Sequence, residues 1–529
     1  MEERFERSHF KIMFSTIKAG AINGIHSYLM QVEVDVSNGL PAFNMVGLPS
    51  TEVREAQERV KVALKNSGIK IPASRITINF SPADVRKEGV SVDLPVAIGI
   101  LCSLGEIDES KLKDTLIIGQ LGLDGEVKGI KGVLPIVKTA IDNGCKACIL
   151  PKDNEKEGAV LGSSIKVIGV SSLTECITYL SSKDSEKDLL IPPTVVNVDE
   201  LFQKESDRSD IDFADINGQS ALKRAMEVAA AGFHHILMVG PPGSGKSMIA
   251  KRLPTILPPL SKEESLEVST IYSVAGLLPA GKALITERPF QSPHHSITSS
   301  ALAGGGRVPQ PGVISLAHRG VLFLDEIAEF SRTTLDLLRQ PLEDQEVHIS
   351  RAGGNFTYPA SFMLVGAMNP CPCGYYPDRG RCKCSQKDIA HYLSHISGPI
   401  LDRIDICIEA PKIDFADLST GSSANEKSSI IRERVIRARD IQKERFKGTN
   451  VRFNSDMSPI DIARYCKLGF KEQRMLEKLY RQLGLSARSY HRIIKLARTI
   501  ADLEGSDQIR DVHIAEAACY KMTDQKYWS

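Results

Sequence analysis

A chain of 529 residues is too long for one ordinary hydrophobic core; at roughly 150 residues per domain it should hold three or four folding units. Charged residues at 25% and hydrophobic residues at 42% are ordinary globular values, which excludes a chain disordered along its length. The formal net charge of +1 excludes a globally basic nucleic-acid binder, so such a site would have to be a local patch or a pore, and no apolar stretch is long enough to span a bilayer.

Met1 to Phe14 mixes acids and bases and lacks the apolar core and small-residue cleavage site of a signal peptide, so a cytoplasmic protein is expected. Eleven cysteines, four of them bunched, then fit reduced thiols or a metal better than disulfides. From there to about residue 180 the pattern is mixed α/β. Ser27–Val36 and Arg75–Phe80 alternate like strands. Glu52–Asn66 carries Val53, Ala56, Val60, Ala63 and Leu64 at helical spacing, with Asn66-Ser67-Gly68 to stop it. Val92–Leu104 reads as a buried helix with Pro95 in its first turn, and Thr115–Leu121 as a strand. Gly132–Asn143 reads as a helix stopped by Gly144, and Ala147–Leu150 starts another strand. Alternating strands and helices predict one α/β domain over 1–182. A polar and charge-rich linker with Pro192-Pro193 follows at 183–210.

The next unit, 211–420, opens with a helix at Ser220–Ala231 and an apolar strand at Ile236–Val239. Directly after it stands Gly240-Pro-Pro-Gly-Ser-Gly-Lys-Ser247, and a helix-compatible segment begins near Met248. Strand, glycine loop and helix in that order are the context a P-loop requires. Gly240, Pro241, Pro242, Gly243, Ser244 and Gly245 form the candidate ATP-binding loop, whose glycines let backbone N–H groups turn inward around phosphates; Lys246 adds charge and Ser247 a Mg²⁺ ligand. Gly320-Val-Leu-Phe-Leu-Asp-Glu326 is a second buried strand ending in two carboxylates. Asp325 can hold Mg²⁺ through water and Glu326 can polarise the attacking water. Leu335–Glu343 reads as helical, Val347–Ser350 and Phe356–Tyr358 as a hairpin turning at Ala352–Asn355, and Ser361–Met368 as a third central strand. Asn369 at its tip can orient the water, and Arg403 and Arg488 are the two candidates to meet phosphoryl charge, each of which also fits a plain surface arginine.

From 421 to 529 the chain is helical: Ser429–Phe446, a start at Ser458-Pro459, then Phe470–Leu483, Ser486–Leu503 and Asp511–Met522. The first helix carries Arg432, Arg434, Arg437 and Arg439, a basic run compatible with DNA or with a solvated face.

Cys371, Cys373, Cys382 and Cys384 form two C-x-C pairs, a set that fits either a tetrahedral Zn²⁺ or free thiols held by packing. Cys145 and Cys148 have no partner pair and read as core.

The P-loop, the strand ending in Asp325 and Glu326, Asn369 and the helical end resemble an AAA+ ATPase. Ser292-Pro-His-His295, Ala303-Gly-Gly-Gly306, Pro311 to Gly320, Leu338-Arg-Gln-Pro-Leu-Glu343, Asn369-Pro-Cys-Pro-Cys-Gly374 and Ser397 to Asp405 narrow the likeness. They resemble the magnesium-chelatase-like branch and, within it, the ComM/YifB group, over nearly the whole chain. The resemblance implies an α/β fold in three parts. These are an N-terminal Lon-protease-like (ribosomal S5 domain 2-like) domain, a central AAA+ P-loop NTPase parallel-sheet domain and a C-terminal helical lid. It implies ATP and Mg²⁺ as cofactors and a hexameric ring. Arg403 would be the finger that completes a neighbour's site, and Arg488 the lid sensor.

The Lon likeness rests on Ser81-Pro-Ala-Asp84, Lys87-Glu-Gly89, Asp93 to Ala97 and Gly119 to Val133. Laid against Lon, Ser91 falls on the nucleophile and Leu134 on the lysine, with Lys131 and Lys138 on either side. Leucine cannot take a proton, so the expectation is a non-proteolytic domain; Lys131 or Lys138 as substitute base is the alternative.

Two insertions are candidates for a ring's pore: Arg288–Gly312, with His294 and His295, and the 347–358 hairpin beside Arg351. Both also fit plain structural loops. The resemblance implies DNA, single-stranded or branched, as partner, through branch migration in natural transformation. The rival is a chelatase-type ATPase that remodels a protein partner, and a third reading is an ATP-dependent protease. A porphyrin site is not expected, because chelatases place it on separate subunits, and no membrane partner is expected.

Overall fold

Strands with one buried face and helices with one apolar stripe organise the chain into two compact units in the computed structural model. It describes residues 14–83, 87, 89, 91–183, 185–203, 211–279, 281–351, 354–412 and 425–528, with backbone alone for 522–525. Asp84 and Glu88 of the Lon-like segments, the end of the linker at 204–210, the hairpin turn residues Ala352 and Gly353, and 413–424 at the end of the P-loop stretch lie outside the described residues. Among the described residues no helix is long and apolar enough to cross a membrane.

The first unit comprises Met1–Lys204 together with Ser265–Thr286. Its seven-stranded mixed sheet runs in the order Ala42–Val46, Arg75–Ser81, His26–Ser37, Phe14–Asn23, Thr115–Ile117, Ala147–Pro151, Lys166–Val170. Phe14–Asn23 and His26–Ser37 pair antiparallel, in a register that places Ile17 opposite Val32 and Ala19 opposite Met30, all four buried. The helix Asp93–Ser103 is buried on every side, which is why its sequence is apolar all round. The predicted strand Thr115–Leu121 is two pieces: Thr115–Ile117 joins the large sheet, and Gln120–Leu121 pairs with Val127–Lys128. The break falls at Gly119, packed so closely on Val127 and Leu94 that a Cβ would stand 3.1 and 3.2 Å from their side chains.

Residues 265–286 lie inside the stretch the sequence assigns to the P-loop domain, yet their contacts are with the first unit. Ala283 and Leu284 form a buried cluster with Leu134 and Val160. Ser273 donates to the buried Glu157 carboxylate, and Gly132 N–H donates to Ser273 O at 3.0 Å.

The second unit, Glu205–Glu264 with Glu287–Ser529, is built on a five-stranded parallel sheet. Its order is Phe290–Gln291, Val321–Leu324, Met363–Met368, Ile236–Val239, Ile406–Glu409. The three central strands are buried at every residue, as parallel strands covered on both faces must be. Helices Ser428–Arg445, Pro459–Tyr465, Phe470–Gln482, Ala487–Leu503 and Asp511–Trp528 belong to the same unit, and one hydrophobic core runs from Val365 and Ile406 into Val435, Ile493 and Ile514. Ser458 caps its helix with Pro459 in the first turn, as its sequence predicts, and the structure adds a reciprocal capping box with Asp461.

Two local expectations change. Leu335–Glu343 is not one helix but Arg332–Asp336 and Pro341–Asp344, because Pro341 has no N–H to continue the ladder. The last helix continues past Met522 to Trp528, where Tyr527 Oη donates to Glu409 at 2.6 Å and Trp528 Nε1 donates to Leu393 O at 3.2 Å.

Candidate functional site

The strand Ile236–Val239 lies between Met363–Met368 and Ile406–Glu409, so its carboxyl end opens between those two strand ends. Gly240 follows, and a side chain there would meet Ala410 O at 2.3 Å, so only glycine lets the loop pass that close. Gly243 and Gly245 take positive φ, 75° and 83°, and Gly245 caps the helix Lys246–Arg252. The loop thus turns its N–H groups to a helix N-terminus, the geometry that receives anions.

Lys246 is buried, and its Nζ donates to Gly240 O at 2.7 Å, Pro241 O at 2.9 Å and Asn369 Oδ1 at 3.4 Å. Burial pushes its pKa down to about 8, against the opposing pull of Asp325 and Glu326. Ser247 Oγ donates to Asp325 Oδ2 at 2.6 Å. One hydroxyl and one carboxylate at that distance are oxygen ligands of the kind Mg²⁺ takes, so the residues fit a metal–triphosphate. Glu326 is exposed next to them, at φ 50°. A non-glycine residue in the left-handed region costs roughly 1 kcal/mol, and here it turns the carboxylate out at the strand's end. The fold therefore brings together Lys246, Ser247, Asp325 and Asn369 as the sequence proposes, with Glu326 adjacent.

Arg403 and Arg488 are placed elsewhere. Arg403 pairs with Glu343 and donates to Pro399 O, while its Nε is buried without a partner. Arg488 lies 3.7 Å from Glu343 and 3.8 Å from Asp402. Both line one cleft of about 370 Å³ with Arg492 and His491. Among the described residues neither makes a hydrogen bond or ion pair with residues 240–247 of the same chain.

The two glycine-and-histidine insertions touch. Tyr358 Oη donates to Pro309 O at 2.7 Å, and a Cβ on Gly305 would lie 3.4 Å from Arg351 Nη2. His294 and His295 are exposed with ring centres 4.0 Å apart, and Arg351 is exposed at the end of the hairpin strand Glu346–Arg351. The basic helix divides differently. Arg432 donates to Thr255 O, Arg434 pairs with Glu227 and Glu426, and Arg439 lies 4.0 Å over the Phe453 ring, which leaves Arg437 exposed. Ser91 in the first unit donates to Gly20 O at 3.1 Å, a carbonyl that cannot serve as base, and Leu134 is buried. Cys145 and Cys148 are buried core residues.

Sequence reasoning missed Gln219 and Glu343. Gln219 Nε2 bridges Ser244 O at 3.2 Å and Pro411 O at 2.6 Å, tying the P-loop to the end of the neighbouring strand. Glycine before it and a helix start after it were the available signal. Glu343 lies inside a quoted motif, but its partners arrive from distant elements.

Three family models of magnesium chelatase subunit ChlI match along the chain: "Subunit ChlI of Mg-chelatase" at residues 32–154, "Magnesium chelatase, subunit ChlI" at 212–418, and its C-terminal model at 425–521. Competence protein ComM of Haemophilus influenzae is 42% identical over 498 residues, covering 94% of this chain and 95% of the relative. The chain belongs to the ComM/YifB-type magnesium-chelatase-like family. YifB of Escherichia coli is 40% identical over 511 residues, 97% of each chain. The magnesium-chelatase 38 kDa subunit of Acidiphilium rubrum is 24% identical over 337 residues, covering 58% of this chain and 88% of its own. Members of this family are expected to bind and hydrolyse ATP, and the P-loop geometry fits that activity.

Proposed function

We propose that the protein is an ATP-hydrolysing ring motor that acts on DNA, a branch-migration helicase of the ComM kind serving recombination or natural transformation. The observation that carries the ATPase half is the meeting of Lys246, Ser247, Asp325 and Asn369 at the end of one parallel sheet. Likeness to a competence protein over nearly the full length supports the DNA half.

Lys246 holds the terminal phosphates, exchanging its carbonyl partners for them. Ser247 and Asp325 hold Mg²⁺, which when bound supplies charge neutralisation between the phosphates. Glu326 accepts a hydrogen bond from the attacking water and polarises it, taking its proton as the oxygen attacks, and Asn369 orients that water. Arg403 answers the charge that develops on the phosphoryl oxygens of a neighbouring copy, with Arg488 beside it. Their convergence on Glu343 and Asp402, away from their own P-loop, supports that use of a second copy, and a hexamer closes the ring. His294, His295 and Arg351, on insertions that touch, line the pore. The N-terminal unit, with Leu134 where a base would be needed, serves assembly or partner contact without proteolysis.

The deciding experiment measures ATP turnover with and without single-stranded and forked DNA, alongside strand displacement on the fork. DNA-stimulated turnover that falls steeply with salt supports the motor. Turnover indifferent to every DNA, with no binding, replaces it with a chelatase-type ATPase that remodels a protein partner.

A further inference from the structure

Between Met368 and the helix Gln386–Leu393 the chain crosses a loop with almost nothing apolar to fold around. Of residues 371–388, only Cys371, Gly374 and Cys382 are buried, while Tyr375, Pro377, Asp378, Arg379 and Arg381 face solvent. A loop this short of core needs another staple. Its four cysteines supply one. Sγ of Cys371 lies 3.4 Å from that of Cys373 and 3.7 Å from that of Cys382, and all four sulfurs lie within 4.8 Å of one another. A tetrahedral ZnS₄ centre with Zn–S of about 2.3 Å has S···S edges of about 3.8 Å. No disulfide joins them. Tyr376 N–H also points at Cys371 Sγ, at 3.4 Å, the kind of backbone donor that steadies a metal-bound thiolate. Four soft ligands in a tetrahedron select Zn²⁺ over the hard cations that carboxylate sites take.

The loop is also seated against the nucleotide site. Gly374 is buried at φ 83°, and a Cβ on it would stand 2.5 Å from Pro242 Cδ and 3.7 Å from Asn369 Cγ. Pro242 belongs to the P-loop, and Asn369 reaches Lys246. We propose that Cys371, Cys373, Cys382 and Cys384 bind one structural Zn²⁺, and that the loop it closes holds Pro242 and Asn369 in position for nucleotide. The metal half stands on the thiol geometry alone; the positioning half rests on the ATP-site reading above. Zn²⁺ here touches no reacting atom, and Gly374 is a positioning residue.

The test uses the full chain purified without added zinc. Elemental analysis should return one Zn²⁺ per chain, and protein loaded with Co²⁺ should give the absorption of a tetrahedral cobalt thiolate. Cys373→Ser with Cys384→Ser, the less buried pair, should lose the metal. Stripping zinc with a thiol reagent should weaken binding of a fluorescent ATP analogue roughly tenfold or more, the usual scale for a support of a site. Gly374→Ala should keep the zinc and weaken the same binding. Protein that comes without zinc and gives no tetrahedral cobalt spectrum, or a serine variant that keeps full zinc, overturns the metal site. Stripped protein that keeps its circular dichroism and its nucleotide affinity overturns the positioning role. Wild-type protein with full zinc and no nucleotide binding at all would sink the ATP reading instead and leave the metal site standing.

Discussion

Ser247 donates a hydrogen bond to Asp325 across 2.6 Å, which joins the first turn of the P-loop helix to the end of Val321–Leu324, a strand separated from the P-loop strand by Met363–Met368. The contact sets side by side the two residues proposed to hold Mg²⁺. Asp325→Asn keeps the shape and removes the charge. Turnover should fall about 10²-fold or more, because the metal then lacks its carboxylate. Steady-state ATPase assays across a Mg²⁺ titration check this; an unchanged Mg²⁺ optimum and rate would remove Asp325 from the site.

Lys246 and Glu326 should separate binding from chemistry. Lys246→Ala is expected to lose nucleotide binding, whereas Glu326→Gln should bind with near-native affinity and turn over at least about 10²-fold more slowly. Equilibrium binding and single-turnover hydrolysis on the same preparations distinguish the two. Normal hydrolysis by Glu326→Gln would assign water activation to another residue.

Burial holds Lys246 at about 8 in the free protein, and a bound triphosphate must raise it. The bound state therefore holds more protons than the free state above that pH. Affinity should be level below it and weaken by up to about tenfold per unit above it, until the raised value is reached. Calorimetry at pH 8.5 in buffers of different ionisation enthalpy should register proton uptake. Affinity that improves with pH would contradict the role given to Lys246.

If Arg403 acts on another copy's phosphates as proposed, Arg403→Ala should abolish most turnover while leaving nucleotide binding intact. Mixed with Lys246→Ala, which binds nothing but still carries its arginine, it should recover part of the activity. Two dead variants that stay dead when mixed, in rings confirmed by sedimentation, would place Arg403 in its own chain's site.

His235 is neutral in the fold: its Nδ1 accepts from Leu364 N–H at 3.1 Å, and burial pushes its pKa down to about 4. Unfolding lets it return to about 6.5, so the unfolded chain binds more protons between those values. Its contribution is fully present above about 6.5 and is lost as pH falls toward 4, up to ~3 kcal/mol less what its partial exposure screens. Denaturant melts of the wild type and His235→Asn between pH 7 and 4.5 should converge as pH falls.

The P-loop was legible because it is local: eight consecutive residues with a strand before and a helix after define their own geometry. Asp325, Asn369 and Ser247 were legible too, since each marks an end of an element. Glu343 was not, because nothing in Leu338–Glu343 says that Arg403 and Arg488 will both come to it. The apolar spacing of Leu335–Glu343 suggested one helix, and the single missing N–H of Pro341 outweighed it. The arginines of the helix Ser428–Arg445 looked like a basic face, but three of the four turn inward to carbonyls, carboxylates and rings, which only packing reveals. Cysteine spacing showed two pairs; that the pairs face each other needed the fold.

Residues 265–286 belong with the first unit while their flanks belong with the second, so the chain changes allegiance three times, near 204, 264 and 286. A single protease nick in the linker would leave 265–286 joined to the second unit, so the two fragments would stay together through packing alone, since no disulfide bridges the cut. Truncation at residue 203 would strip Leu134 of Ala283 and Leu284, uncovering greasy surface that a separately expressed N-terminal fragment would have to hide. Whoever trims this protein should expect insolubility from one cut and should graft the 265–286 stretch back first.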